Sequence, residues 1–505
     1  MNDKVKKSNL KFSNNLIIGI FFLICFLLCF IIGENSNEYR LLYVFVMSYS
    51  ILTIFYVNKY KKNIICIKTI FIGLFSIMIG LSPLFYYLNF GKLTANNGCS
   101  IIYQFAMILI AYISMLIGFK VNFSQNKNNS KKKSDSYILL FSVVLNCIAL
   151  LFNVIYFIKN KSFLMNGNLG AGRIMAQSGN GILILLSSLD LPGIGLLYKY
   201  NQNTHKKKYL LIFFVIVSFV FSIIRGSRTK LVRCLILLLL MYNSKNRIKP
   251  KSMLKFCVFA IIGLTFLQMI RTNMSNGNID FFSSIYNILD VGSINLNYVY
   301  DIFPKKMPFQ YGYTYLINLI MMLPGEGIDF TLWLKKIIGI DFAGGGVTPT
   351  IIGESYMNFG YIGIIFVMFF MGIIGNILDK KYENTTSDKF WVSYFIVIII
   401  DVFRGGIANI EVSLFTYITL YIFYQVMYKN KKYGDEDLIE WEKKTFKKYG
   451  TNSNWKFGSK DDCFYIIAII YFNSNYRRVW CLWLHSSSKC FFIACCDVIN
   501  AWGAI

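Results

Sequence analysis

Long apolar runs recur from the N-terminal region to about residue 430, and they constrain the fold more than any other feature of the sequence. A helix needs roughly 17 to 25 apolar residues to cross the hydrocarbon layer of a membrane. The chain is 55% hydrophobic and only 15% charged, which is more apolar surface than a soluble domain of this length could bury. The sequence therefore predicts an integral membrane protein.

The runs favour helices over a membrane β-barrel, whose strands are shorter and alternate between apolar and polar residues. About twelve runs qualify as spans by length and hydropathy. They lie near residues 16–33, 41–58, 64–88, 100–119, 137–158, 181–198, 209–224, 229–242, 254–271, 360–378, 391–403 and 411–428. We expect an all-α integral membrane protein with a bundle of about twelve transmembrane helices in a core over residues 1–430.

The basic residues predict the orientation of this bundle. The net charge is +27, and lysines cluster in every second loop, beginning with the N-terminal segment. This alternation matches the positive-inside rule, so both ends of the core are expected in the cytoplasm. A nucleic-acid partner is not indicated, because the lysine runs lack the interleaved aromatic residues that stack on bases. The charge instead suits contact with anionic membrane lipid.

Five arginines oppose this rule, because the same topology places them at the extracytoplasmic surface. Two of them, Arg225 and Arg228, form an R-G-S-R turn between two predicted spans, and the others are Arg173, Arg271 and Arg404. The planar guanidinium pairs bidentately with phosphate oxygens, so a convergent set would suit a pyrophosphate at the membrane surface. The alternative for each arginine is an interfacial anchor that reaches toward lipid headgroups.

Residues 272–359 contain no run that is both long and apolar enough to cross, so they predict one large extracytoplasmic loop. Within it, residues 313–323 are apolar but short, as expected of an interfacial or re-entrant helix. The loop ends in DFAGGGVTPTIIGESYMNFGYIG, residues 341–363. Glu354 in this stretch has two interpretations: a structural partner of an outer arginine, or a base that deprotonates an acceptor hydroxyl.

The span order, the R-G-S-R turn, the large late loop and GGGVTPTIIGESYMNFGYIGIIF together resemble the Wzy-type oligosaccharide repeat-unit polymerases of bacterial O-antigen and capsule pathways. The resemblance covers roughly residues 10–430. It implies a metal-independent glycosyltransferase without a cofactor in the bacterial cytoplasmic membrane. Such an enzyme transfers the growing chain from its undecaprenyl-pyrophosphate carrier to a sugar hydroxyl of the next lipid-linked unit, at the outer face.

The resemblance gives the candidate residues specific roles. Arg173, Arg225, Arg228, Arg271 and Arg404 would bind the diphosphate, and Arg228 and Glu354 would be catalytic. A chain-length regulator and a flippase would be partners beside the lipid-linked oligosaccharides.

Two other functions remain open. An O-antigen ligase would be expected to carry a histidine in the large loop, but the two histidines of this sequence are His205 and His485, both outside that loop. A lipid-linked oligosaccharide flippase or other secondary transporter would show two related halves and ionisable residues deep in the bundle. No internal repeat is visible, although Lys68, Asp190 and Asp401 lie within predicted spans.

The chain changes character beyond the core. Residues 431–505 begin as a charged segment and end in a stretch rich in cysteine and tryptophan, without the spacing of a zinc site. We expect an atypical cytoplasmic tail that is dispensable or derives from a shifted reading frame.

Overall fold

The computed structural model describes most of the core. The described residues are 37–59, 66–91, 101–121, 135–165, 180–225, 227–248, 252, 255, 262, 263, 265, 285, 286, 289–320, 329–340, 346–384 and 388–426. The predicted first span near 16–33, most of the span near 254–271, Arg173, Arg271 and the tail over 431–505 lie outside them.

The described residues form helices and contain no strand. The α-helices are α1 (Asn37–Lys59), α2 (Ile67–Phe75), α3 (Ser82–Phe90), α4 (Ile101–Gly118), α5 (Asp135–Met165), α6 (Gly181–Ser187), α7 (Asp190–Thr204), α8 (Lys208–Ile224), α9 (Arg228–Lys245), α10 (Val291–Ile302), α11 (Ile317–Ile320), α12 (Phe330–Ile338), α13 (Thr350–Glu383), α14 (Lys389–Gly405) and α15 (411–426). A π-turn over Ser76–Gly80 joins α2 to α3, and 3₁₀ turns cover Tyr313–Tyr315 and Ala408–Ile410.

Six helical segments of the described chain are long and apolar enough to cross a membrane. They are Arg40–Val57, Ile67–Phe90, Ile101–Gly118, Tyr137–Ser162, Gly181–Thr204 and Thr350–Glu383. The prediction of an all-helical, multi-pass membrane protein is confirmed. The count of about twelve spans and the single large extracytoplasmic loop stay predictions.

Three of these spans are interrupted where the sequence carries a helix-breaking residue. The π-turn ends just before Pro83, and α6 gives way to α7 just before Asp190 and Pro192. Helix α13 is broken at Phe359 and Gly360, where Gly360 has a φ of 62°. Residues 350–358 therefore form a separate helical segment ahead of the predicted span near 360–378.

The segment predicted as one interfacial helix over 313–323 is described in the structure only over residues 313–320. Its described part consists of a 3₁₀ turn and the four-residue helix α11. Its backbone and side chains bind other parts of the chain. Leu319 N donates to Glu411 Oε2 at 2.9 Å, and Asn318 Nδ2 donates to Ala408 O at 2.8 Å. These bonds anchor the segment to the residues between α14 and α15.

One end of the bundle, which we call the Lys199 end, joins α7, α9, α13 and α14. Lys199 Nζ lies 2.7 Å from Asp388 Oδ2, which precedes α14. Tyr382 near the end of α13 donates its hydroxyl to Leu240 O of α9 at 2.6 Å. The opposite termini of α7, α9 and α14 lie around Arg225. We call this second end of the bundle the Arg225 end.

Helices α4 and α13 meet at a pair of glycines. A Cβ added at Gly372 would overlap Met115 O and lie 2.8 Å from the Cα of Gly118. A Cβ added at Gly118 would likewise overlap Phe369 O of α13. Small residues allow such close approach of backbones in membrane bundles, so these glycines set the spacing of the two helices.

Helix α10 is joined to the α2–α3 span through a buried polar cluster. Asn89 Nδ2 donates to Asp290 Oδ2 at 2.7 Å, Ser82 Oγ donates to Asp290 O at 3.1 Å, and Ser293 N donates to Ser82 Oγ at 2.6 Å. Burial raises the pKa of Asp290 to about 6, although the hydrogen bond from Asn89 favours its ionised form. The cluster fixes the start of α10 against α3, through Ser82 at the beginning of that helix and Asn89 near its end.

We expect Gly372→Ala to destabilise the protein, because the added methyl group forces α4 and α13 apart. Overpacking of this kind costs roughly 1 to 3 kcal/mol. Gly73→Ala in α2 is the matched control, since a Cβ there meets nothing within 4 Å and alanine is the better helix former. Thermal unfolding of the full chain in detergent measures both. Equal melting temperatures for the two variants would contradict the close helix contact.

The raised pKa of Asp290 predicts a pH effect on stability. Because the folded state binds this proton more tightly than the unfolded state, the stability contributed by Asp290 is present at low pH and is lost as pH rises through about 6. Asp290→Asn keeps an acceptor for Asn89 and removes the titration. We expect melting temperatures from pH 5 to pH 8 to depend less on pH in the variant than in the wild type. Parallel pH profiles would contradict this assignment.

Candidate functional site

The R-G-S-R turn connects α8 to α9 at the Arg225 end. Arg225 follows the last residue of α8 and donates its backbone N–H to Phe221 O at 3.0 Å. Ser227 N donates to Ser222 O at 2.9 Å, and α9 begins at Arg228. The turn therefore reverses the chain within a few residues. The side chain of Arg228 lies outside the described part of the structure.

Three uncharged groups hold the Arg225 side chain. Its Nη1 donates to Ser187 Oγ at 2.7 Å and to Asn153 Oδ1 at 3.1 Å, while its guanidinium carbon lies 4.0 Å from the centre of the Tyr156 ring. The Nη2 atom is buried and has no hydrogen-bond partner in the part of the chain that the structure describes. Burial lowers the pKa of Arg225, because desolvation disfavours its charged form. The guanidinium is thus oriented and desolvated, with one donor unused.

Lys230, in the first turn of α9, forms an ion pair with Asp190. Its Nζ lies 2.7 Å from Asp190 Oδ2 and donates to Ser187 O at 3.1 Å. Ser218 Oγ also donates to Asp190 Oδ2, at 2.6 Å. Ser187 therefore contacts both Arg225 and Lys230. Among the described residues Asp190 forms its ion pair with Lys230, and its charge also favours the charged form of Arg225 without an ion pair between the two.

Helix α9 contacts α14 through Arg233. Arg233 forms an ion pair with Asp401 through Nε, and its Nη1 donates to Ser413 Oγ at 3.4 Å. One turn further toward the Arg225 end, Arg404 Nη1 donates to Thr229 Oγ1 at 3.4 Å. Arg404 is exposed, and its contact with Thr229 brings it beside the R-G-S-R turn.

Glu354 lies at the same end and is fully buried. Its Oε1 accepts hydrogen bonds from Ala408 N at 3.1 Å and from Thr314 Oγ1 at 3.3 Å, and its Oε2 accepts from Ile407 N. Asn358, one turn along the helix, donates to Thr314 Oγ1 at 2.6 Å. The carboxylate therefore holds the segment that follows Arg404, and its described partners are backbone amides and a hydroxyl group.

Gly406 allows this arrangement. It has a φ of 82°, and a Cβ there would overlap Glu354 Oε2 and lie 3.0 Å from its Cδ. With its ψ of −179°, Gly406 occupies a backbone region almost restricted to glycine, and only glycine allows so close an approach to a carboxylate. The G-G after Arg404 in the sequence thus shapes the backbone that receives Glu354.

The structure brings some of the residues singled out in the sequence together. Arg225, the backbone of Arg228, Arg404 and Glu354 all lie at the Arg225 end, whereas Arg173 and Arg271 lie outside the described residues. The roles of Lys230 and Arg233 were missed. A signal was available, because Asp190 and Asp401 are acidic residues in apolar spans and require cationic partners. Among the described residues, no cluster of His, Cys, Asp and Glu side chains could hold a metal ion.

Comparison with known proteins adds one finding. The model of a family described as O-antigen polysaccharide polymerase Wzy matches residues 17–431. No curated protein and no solved structure matches the chain.

The contact between Gly406 and Glu354 can be tested by substitution. We expect Gly406→Ala to lower the melting temperature clearly more than Gly339→Ala does. Both glycines adopt positive φ, 82° and 73°. Gly339 has a ψ of 25° and lies in the left-handed helical region, where alanine costs roughly 1 to 2 kcal/mol, whereas Gly406 has a ψ of −179° and lies in a region almost restricted to glycine. Only at position 406 does the methyl group also displace a buried carboxylate, since a Cβ at Gly339 meets nothing within 4 Å. Thermal unfolding of both variants in detergent makes the comparison, and equal losses would contradict the close contact.

Proposed function

The chain belongs to the O-antigen polysaccharide polymerase Wzy family and polymerises O-antigen repeat units, and we propose that the Arg225 end binds the diphosphate of its lipid-linked donor. The carrier in this proposal is undecaprenyl pyrophosphate, and the reaction takes place at the outer face of the cytoplasmic membrane. The family membership shows a polymerase; the residues and the location of the reaction are the proposal.

The distribution of charge supports this orientation. At the Lys199 end, the turn between α7 and α8 contains Lys206 and Lys207, and the end of α13 contains Lys380 and Lys381. Lysine-rich turns of this kind stay in the cytoplasm. We propose that the Lys199 end is cytoplasmic, with both ends of the core, and that the Arg225 end faces outward. The full bundle would then have about twelve spans, and residues 272–359 would form one outer loop.

The observation that carries the proposal is the environment of Arg225. Its guanidinium is oriented by Asn153, Ser187 and Tyr156, none of which is charged, and its buried Nη2 has no hydrogen-bond partner among the described residues. Among the described residues Arg225 forms no ion pair, although the charge of Asp190 acts on it from beyond ion-pair distance. A desolvated cation of this kind favours binding of an anion, and a guanidinium pairs with phosphate oxygens through parallel hydrogen bonds. A diphosphate would use the remaining donor and compensate the charge.

Further cations would complete the diphosphate site. Arg404 reaches the turn through Thr229, and Arg228 begins α9 in the same turn. We include Arg173 and Arg271 on the basis of sequence alone, since both are arginines that the predicted topology places at the same surface. The alternative role of interfacial anchor applies less to Arg225, whose side chain bonds within the bundle.

The proposed reaction is glycosyl transfer without a metal ion. The bond between the anomeric carbon of the growing chain and the diphosphate oxygen breaks, and the electron pair leaves with the diphosphate. The acceptor hydroxyl oxygen forms the new glycosidic bond and loses its proton to a base. Negative charge grows on the leaving diphosphate, so prepositioned guanidinium groups lower the barrier.

Glu354 is the candidate base identified from the sequence. The hydrogen bonds that it makes limit how it could act as a base. Its oxygens accept hydrogen bonds from Ile407, Ala408 and Thr314, and its side chain has no exposed surface. Deprotonating an acceptor would require the segment after Arg404 to move away. In the present conformation, Glu354 serves to position that segment.

The buried charges give no support to a transporter. Asp190 pairs with Lys230, Asp401 with Arg233, and Lys68 Nζ lies 4.0 Å from Asp379 Oδ2. Ion pairs between helices account for each of these groups as structural charges in a membrane bundle. We propose that a flippase and a chain-length regulator are separate partners of the polymerase.

The proposal predicts a graded effect of substitutions at Arg225. In a strain that lacks the gene, surface glycan should collapse to single repeat units, and the wild-type chain should restore long polymers. We expect Arg225→Ala to lower the polymerisation rate by about 10² to 10³, the usual cost of losing one donor to a developing charge. Arg225→Lys should be intermediate, because a lysine cannot bond Asn153 and Ser187 and still offer a fork to phosphate.

Arg247→Ala is the control for this series. Arg247 is an exposed arginine just beyond α9 at the Lys199 end, and its loss should leave polymer length unchanged. Long chains in the deletion strain would refute the polymerase. Full activity of Arg225→Ala, at wild-type abundance, would refute the diphosphate site alone.

A further inference from the structure

We propose that Arg233 and Asp401 are a positioning pair, which sets the distance between Arg404 and the R-G-S-R turn and so shapes the diphosphate site without touching the substrate. The inference rests on the proposed function of the Arg225 end. It concerns two residues whose charges cancel each other, in contrast to the arginines proposed to bind the substrate.

Two side-chain contacts connect α9 with α14. Arg233 pairs with Asp401, and Thr229 accepts a hydrogen bond from Arg404. Thr229 and Arg233 are four residues apart on α9, and Asp401 and Arg404 are three residues apart on α14, so each pair shares one face of its helix. Residue numbers rise on one helix as they fall on the other, which shows that the two helices run antiparallel here.

The ion pair is the stronger of these two contacts. Side-chain exposures of 24% for Arg233 and 13% for Asp401 indicate that water screens the pair only partly. The Arg404–Thr229 bond is longer, at 3.4 Å, and Arg404 is exposed. Asp401 lies one turn before Arg404 in α14. The ion pair therefore fixes the position of α14 along its axis and its rotation about that axis, and with them the place where Arg404 reaches α9.

A second feature depends on the same turn of α14. The segment immediately after Arg404 passes through Gly406 and is bound by Glu354 at Ile407 and Ala408. Arg404 is therefore held from both sides, by the ion pair before it in the chain and by the carboxylate after it. Loss of the ion pair frees only the first side, so the fold remains tied through Glu354 while the position of Arg404 relaxes.

The chain provides a matched control at the other end of α14. Lys199 and Asp388 form an ion pair with a distance of 2.7 Å and side-chain exposures of 19% and 23%. It joins α7 to the N-cap of α14, and Asp388 lies 13 residues before Asp401, or about 20 Å along a helix. Asparagine is also a good N-cap, so Asp388→Asn removes the ion pair and keeps the cap.

The experiment compares Asp401→Asn with Asp388→Asn in the full-length protein, reconstituted in lipid nanodiscs and supplied with lipid-diphosphate-linked repeat units. We expect Asp401→Asn to raise KM for this donor by about tenfold, because the site that binds its diphosphate is displaced. Asp388→Asn should change KM by less than about twofold. Rates are compared per folded protein, so that a loss of stability does not count as a loss of binding.

The charge-reversed double variant Arg233→Asp/Asp401→Arg provides the decisive readout. A positioning pair works in either direction. The double variant should therefore lower KM from the raised value of Asp401→Asn most of the way back to the wild-type value. If Arg233 contacted the diphosphate directly, the reversal would place a carboxylate in the site and would not rescue binding. Failure of rescue, or equal KM changes in Asp401→Asn and Asp388→Asn, would overturn the inference.

These outcomes remain distinct from a failure of the proposed function. Absence of polymerisation by the wild-type protein would remove the proposed function itself. If the wild type polymerises and Arg225→Ala does not, while Asp401→Asn keeps the wild-type KM, only the positioning role is lost.

Discussion

The pairing of charges on helix α9 is the constraint on which the Arg225 end depends. A charge inside a membrane bundle is costly unless it is compensated, and α9 carries two cations in its first turns that meet aspartates from different helices. Lys230 binds Asp190 of α7, and Arg233 binds Asp401 of α14. Helix α9 is thereby fixed between two neighbours, and the R-G-S-R turn at its start takes its position from both.

The residues between α14 and α15 are stabilised in a different way, through backbone hydrogen bonds. Glu354 accepts from the amides of Ile407 and Ala408, Asn318 donates to Ala408 O, and Glu411 accepts from Leu319 N. Each buried polar side chain here satisfies backbone groups that no helix could satisfy, as a low-polarity environment requires. These bonds hold the segment directly beside Arg404, so an exposed cation is carried by a backbone that is fixed on one side.

The sequence predicted what depends on local composition. Apolar runs located the helices, and Pro83, Pro192 and Gly360 mark where spans break. It did not predict the partners, because these join residues far apart in the chain: 72 positions separate Arg225 from Asn153, and 168 separate Arg233 from Asp401. Hydropathy contains no information on which face of one helix meets another. The assignment of Glu354 to an arginine or a base overlooked its backbone partners for the same reason.

The contrast among the cations of the Arg225 end indicates which of them serve structure and which serve ligand binding. Lys230 and Arg233 have carboxylate partners, so their charges are cancelled within the protein. The described hydrogen-bond partners of Arg225 are neutral side chains, and its Nη2 has no hydrogen-bond partner among the described residues. Among the described residues two neighbouring cations form ion pairs and the third does not, so the desolvation of the third carries a free-energy cost that a bound anion would reduce. In a polymerase whose donor ends in a diphosphate, that anion is the leaving group, and the same interaction that binds it also stabilises its departure.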